Sequence, residues 1–186
     1  TNNKVHQDVI GYLTYSKADL FDFDPKTSSQ AFATPRSWNY VSEILSTEGF
    51  DTASDFQQKA EVAGAIGEGM AIKFCEHRKI ASKLPNPDQI LNGDVKTLDS
   101  KLSKEISAKY SLVVGLAYEL NDIFKDNGID DKFRKGLNNT VRFAYDNFEP
   151  EMVVFLFKTI MKDYQIRFNV RTDLDKDLHK TFSDRY

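Results

Sequence analysis

The sequence predicts an all-α protein, a helical bundle of about eight helices, and three observations carry that expectation. Apolar residues recur at three- and four-residue intervals in almost every segment. Period-two alternation is confined to Ile166, Phe168 and Val170, too short a run to define a strand. Prolines at 35 and 150 stand just ahead of apolar stripes, where a missing N–H and a fixed φ suit a first helical turn.

The first stripe is Val5, Val9, Tyr12 and Leu13, followed by a loop holding Pro25 and Thr27-Ser28-Ser29-Gln30. Thr34 can cap the next helix, Pro35 starts it, and Trp38, Val41, Ile44 and Leu45 mark its buried face. Gly49 is a plausible stop. Phe56, Ala60 and Ala63 mark a third helix, and Met70, Ile72, Phe74 and Cys75 a fourth with a broad apolar face. Pro85 and Pro87 force an extended connection, after which Asn86 can cap a single turn carrying Ile90 and Leu91 and ended by Gly93. Leu112, Val113, Leu116, Leu120 and Phe124 define a long helix that tolerates Gly115. Phe133, Leu137, Val141 and Tyr145 define another, Val153 to Met161 the helix begun at Pro150, and Leu174, Leu178 and Phe182 the last. Residues 93–106, rich in Asp, Lys and Ser, form the expected polar linker between a region 1–92 and a C-terminal helical region 107–186.

Composition sets outer bounds. The 186 residues suffice for one or two compact units. A 40% hydrophobic content with 14 Phe and 8 Tyr argues against disorder. A net charge of -3 gives no bulk attraction to nucleic acid. One cysteine excludes an intrachain disulfide and fits a reducing, cytoplasmic setting. Neither a run of ~18 apolar residues nor a basic-then-apolar leader is found.

The segment richest in functional information is Thr34-Pro35-Arg36-Ser37-Trp38. It places Arg36 in a first helical turn, at the positive end of the helix dipole, where a cation is mildly disfavoured. An arginine there makes best sense when something anionic meets it. No Gly-x-x-x-x-Gly-Lys-Ser/Thr segment occurs, so the chain has no phosphate cradle or P-loop lysine. Gly64-x-x-Gly67-x-Gly69 lacks the Gly-Lys step and reads as a break between two helices. No apolar strand ends in Asp-Glu, as a magnesium-binding pair requires.

Val9-Ile10-Gly11-Tyr12-Leu13, Asp19-Leu20-Phe21-Asp22-Phe23-Asp24-Pro25 and Ala31-Phe32-Ala33, running into Thr34–Trp38, resemble the MoxR-like AAA+ ATPases of bacteria and phage. Gly64–Gly69 with Phe74, and Leu84-Pro85-Asn86-Pro87-Asp88-Gln89-Ile90-Leu91, are similar to later stations of that pattern. The resemblance spans roughly residues 5 to 92 and implies a helical lid, with Arg36 in the "sensor 2" role of reaching nucleotide phosphates. It further implies ATP and Mg2+ in a full-length protein, an N-terminal AAA+ core in the same polypeptide, neighbouring subunits of a ring, and a protein client. With the chain beginning at Thr1, these features together lead to the expectation of a C-terminal ATPase piece that is inactive alone. The alternative is a non-catalytic helical adaptor in which Arg36 is ordinary.

Other chemistries are weaker. His6, His77 and His179 lie far apart, and Cys75-Glu76-His77 directs its ligand types to different helix faces, so no metal site is expected. Cys75 reads as a small buried hydrophobe. Asp19, Asp22 and Asp24 have loose cation-site spacing without the glycine and glutamate of a calcium loop, and read as a solvated loop. Phe143, Tyr145, Phe148, Phe155, Phe157, Tyr164 and Phe168, interleaved with Arg142, Lys158, Lys162, Arg167 and Arg171, could build a platform for single strands. Their helical spacing favours core packing.

Overall fold

The computed structural model describes residues 5–23 and 31–185, with side chains as far as Thr181. It is all-α, with ten helices among the described residues. The chain divides into two compact units at Lys83 and Leu84. That division lies ahead of the polar segment 93–106. Leu84, Ile90, Leu91, Val95 and Leu98 all pack into the second core. Asn147 fixes the polar stretch, its Oδ1 accepting from Leu98 N at 2.7 Å and its Nδ2 donating to Lys96 O at 2.9 Å. A linker-like composition therefore belongs to an anchored segment.

The first unit holds α1 (Gln7–Tyr15), α2 (Pro35–Leu45), α3 (Asp55–Ile66) and α4 (Glu68–Ala81). A 3-10 turn (Lys17–Leu20) follows α1. Its core is Val9, Tyr12, Trp38, Val41, Leu45, Phe50, Val62, Ile66, Met70, Phe74 and Cys75, with Ala33 and Ala71. Gly67 makes the α3–α4 reversal at φ 84°, ψ 154°, a backbone region open to little but glycine. This is the helix break expected of the glycine-rich stretch.

Two expected faces are corrected. Phe56 is 81% exposed and Ala60 is exposed too, while α3 buries Val62 and Ile66, with Ala63 of the expected row packed partly against the core. Both rows have helical spacing, but valine and isoleucine remove more apolar area from water than two alanines do. Ile72 is exposed as well, while Ala71 and His77 join Met70, Phe74 and Cys75 inside.

The second unit holds α5 (Pro87–Asn92), α6 (Ile106–Asn127), α7 (Asp131–Asn147), α8 (Pro150–Lys158), α9 (Val170–Asp173) and α10 (Lys176–Arg185). Asn86 caps α5, and Gly93 ends it at φ 87°. A Cβ on Gly93 would lie 3.1 Å from Nδ2 of Asn139, which donates to Leu91 O. Leu112, Leu116, Leu120, Phe133, Leu137, Val141, Leu156 and Ile160 form the centre. After α8 the helix widens into a π turn (Thr159–Asp163), and Gln165 reverses the backbone at φ 57°. Ile166 and Phe168 then bury themselves from an extended stretch that pairs with no strand among the described residues. Leu174 and Leu178 complete the core, and the Phe182 side chain lies outside the described residues.

Candidate functional site

Thr34 is extended (φ −143°, ψ 162°), and its Oγ1 accepts from Ser37 N at 3.0 Å. Ser37 Oγ accepts in return from Thr34 N at 2.8 Å. This is a capping box in which serine takes the place usually held by Glu or Gln. Ser37 Oγ also donates to Phe32 O at 3.0 Å, fixing the chain that leads into α2. The sequence named Thr34 but gave no signal for this reciprocal serine.

Trp38 faces the other way. Its indole is buried among Tyr12 (ring centroids 5.6 Å) and Phe74 (5.3 Å), and its Nε1 donates to Asp19 O at 2.9 Å. Asp19 is correspondingly more than a solvated loop residue. Its Oδ2 accepts from Tyr12 OH at 2.5 Å and from Ser16 Oγ at 2.8 Å. Burial, then the hydrogen bond to Asp19, pushes the Tyr12 phenol well above its ordinary range. Asp22 pairs with Ala33 in an isolated antiparallel bridge. Asp24, Pro25 and Thr27–Gln30 lie outside the described residues.

The bridge sets Phe23 across from Phe32, with ring centroids 4.7 Å apart. Phe21 is 62%, Phe23 49% and Phe32 38% exposed, so three phenyl groups stand in solvent just ahead of α2. Single exposed apolar residues need no explanation, whereas neighbouring ones form a candidate contact surface.

Arg36 is exposed on the first turn of α2. Its Nε donates to Tyr40 OH at 3.1 Å, and its guanidinium carbon sits 5.8 Å from the Tyr40 ring centroid. A cation at a helix N-terminus costs about 0.3–1 kcal/mol, and an exposed cation–π contact contributes about 0.5–1 kcal/mol. Tyr40 therefore roughly offsets the unfavourable dipole. Among the described residues no carboxylate pairs with Arg36, including Asp22. Its Nη1/Nη2 edge, the fork that fits a carboxylate or phosphate in bidentate fashion, faces no protein partner there.

Another arginine of the first unit, the part-buried Arg78, is committed. Arg78 donates to Asp8 (2.6 Å) and Asp51 (2.9 Å) and covers the Phe50 ring at 5.3 Å. It borders an open cleft of about 370 Å³ with Cys75, Gln58 and Ser82. Burial pushes the Cys75 thiol up, away from thiolate reactivity. Glu76 is exposed, bound to Lys59 (2.8 Å) and Lys79 (3.0 Å), and both lysines also pair with Asp55. His77 is buried edge-on to Tyr12 at 5.2 Å, and burial lowers its pKa against a smaller upward pull from Asp8. Thus Cys75 and His77 both go inside, although they leave the helix in different directions. His6 caps α1, its Nδ1 accepting from Asp8 N. Among the described residues no group of three His, Cys, Asp or Glu could hold a metal ion.

In the second unit Phe143, Phe148, Phe157 and Phe168 are core residues, and the Phe155 ring packs tilted against Tyr110, centroids 5.0 Å apart. Arg142 is taken by Asp177 (2.6 Å) and Asp175 (3.2 Å). The rings are packing, as their spacing predicts. No helix among the described residues is long and apolar enough to cross a membrane.

No family model, curated protein or solved structure matches the chain.

Proposed function

We propose that the N-terminal region is the helical lid of a MoxR-like AAA+ ATPase and that Arg36 is its phosphate sensor. The observation that carries this reading is an exposed arginine, fixed in a capped first turn, whose only partner among the described residues is the neutral Tyr40 phenol. An open guanidinium fork fits the phosphates of ATP. Mg2+-ATP, held by an AAA+ core in the same polypeptide, supplies the phosphoryl group and its charge. Arg36 neutralises charge developing on that group, an effect that is large where water is excluded. Trp38, buried and bonded to Asp19 O, aims the helix. The exposed Phe21, Phe23 and Phe32 suit a lid face that meets protein. Neighbouring ring subunits and a protein client complete the proposed machine, working in the cytoplasm.

The same phenyl cluster favours a second reading, a non-catalytic adaptor whose partner covers those rings while Arg36 does nothing special. Two measurements separate the readings. This chain alone should release no phosphate from ATP above a blank; sustained magnesium-dependent release refutes the lid assignment. In the full-length polypeptide, Arg36→Ala should lower turnover by on the order of 10²-fold. It should shift the stability of this chain by less than about 0.5 kcal/mol, as exposed substitutions usually do. Normal turnover of the full-length variant ends the sensor reading.

A further inference from the structure

Tyr40 lies one helical turn beyond Arg36, and side chains four residues apart on a helix are neighbours. The tyrosine leans back toward the helix start, as long helical side chains do, and meets the guanidinium with two groups at once. Its hydroxyl accepts from Arg36 Nε at 3.1 Å, and its ring carries the cation at 5.8 Å from the centroid. We infer that Tyr40 is the positioning residue of Arg36, holding the guanidinium by its Nε edge so that the Nη1/Nη2 edge is presented to a phosphate. This rests on the phosphate-sensor reading above and names a second residue on which that reading depends.

The chemistry of the two edges explains why the bond to Nε matters. A guanidinium has five N–H groups in a rigid plane, and recognises an oxyanion best through two parallel ones. An unbraced arginine on a surface samples many rotamers, and each must be lost when the oxyanion arrives. Tyr40 engages only the inner N–H and removes much of that freedom beforehand. Because a phenol is neutral, it does so without screening the positive charge, which a carboxylate in the same place would cancel. The capping box leaves Thr34 and Ser37 occupied with each other, so they do not compete for the guanidinium.

The first test uses this chain alone. Exchange of the Arg36 Nε–H with solvent, read by nitrogen-15 NMR, should quicken in Tyr40→Phe with the melting temperature unchanged. Equal exchange in the two proteins overturns the brace. The second uses the full-length ATPase and a double-mutant cycle, which isolates the coupling between two residues. Tyr40→Phe should lower kcat about three- to tenfold, the worth of one ordinary hydrogen bond. In the Arg36→Ala background the same change should do nothing further. If Arg36→Ala is impaired while Tyr40→Phe turns over normally, the Tyr40 role falls and the sensor reading survives. A Tyr40→Phe loss of equal size in both backgrounds also overturns it, since Tyr40 then acts by another route. Normal turnover of Arg36→Ala removes both.

Discussion

Cations matched to carboxylates tie segments together in both units, and Arg36 of the first unit is held differently. In the second unit Arg134 meets Asp173 at 3.1 Å, Arg142 meets Asp175 and Asp177, and the buried Lys109 meets both carboxylate oxygens of Glu149 at 2.6 and 2.7 Å. Each ties one segment to another: Arg134 holds α7 to the end of α9, Arg142 holds α7 to the start of α10. The first unit has such clamps in Arg78, and in Lys59 and Lys79 between α3 and α4, and in addition Arg36, whose partner carries no charge. An arginine already matched to carboxylates has little left for a ligand, whereas one resting on a phenol keeps its full charge. Function in the first unit is therefore sought where electrostatic satisfaction is incomplete.

The comparison can be broken most directly in the core of the second unit. Phe133 is fully buried against Phe124 and the α6 and α7 leucines, and Phe133→Ala should destabilise the chain by about 3–5 kcal/mol in chemical denaturation. A loss below one kcal/mol would show that this core is loosely packed and that its residues are freer for other roles than argued.

Smaller changes sharpen the account of the clamps. Lys109 is 3% exposed and Glu149 stands largely in solvent at the helix start, its carboxyl held below the usual range by the lysine. Glu149→Gln leaves a buried ammonium without its countercharge and should cost about 1–2 kcal/mol, less than for a fully buried pair because water reaches the site. Lys109→Met, which removes the buried charge itself, should be near neutral by the same argument. Equal losses from both variants would mean that the pair contributes net attraction and is not chiefly a desolvation problem.

The smallest test concerns pH. His77 is neutral in its buried site, with a folded pKa below the ordinary 6.5. The unfolded chain therefore binds more protons than the folded one once pH falls below about 6.5. Stability should decline from there and level off below the folded value, with Asp8 opposing the decline. Thermal melts of His77→Phe should lack that component between about pH 6.5 and 5, where most carboxylates still carry charge. A parallel slope in the two proteins would mean that the imidazole stays wet or protonated.

Much of the fold is written in local punctuation. Asn86, Pro87 and Gly93 delimit α5 to the residue, because a cap, a fixed φ and a left-handed stop each act within one or two positions. Thr34 and Pro35 do the same for α2. What escapes such reading depends on partners distant in sequence. Nothing near Phe56 says that α3 will turn Val62 inward, since that depends on where α4 and α2 lie. The polar composition of 93–106 conceals two hydrogen bonds to Asn147, some fifty residues away. For the site, the position of Arg36 in a first turn was legible, while its pairing with Tyr40 and the freedom of its fork emerged only from side-chain geometry. Asp19 likewise looked like loop chemistry until Tyr12 and Trp38 converged on it.

That convergence has a mechanical meaning for α2. Successive residues advance about 100° around a helix axis, so a slip of one position would swing Arg36 more than a quarter turn. The indole N–H of Trp38, seated on the Asp19 carbonyl, is a key in a slot: it admits one angular setting of the shaft. Asp19 in turn is pinned by two hydroxyls from Tyr12 and Ser16, so the slot cannot rotate with the key. The bearing of the guanidinium thus depends on an aspartate seventeen residues upstream, and loss of the Asp19 carboxylate, which holds in place the carbonyl that seats Trp38, would mis-aim the charge without removing it.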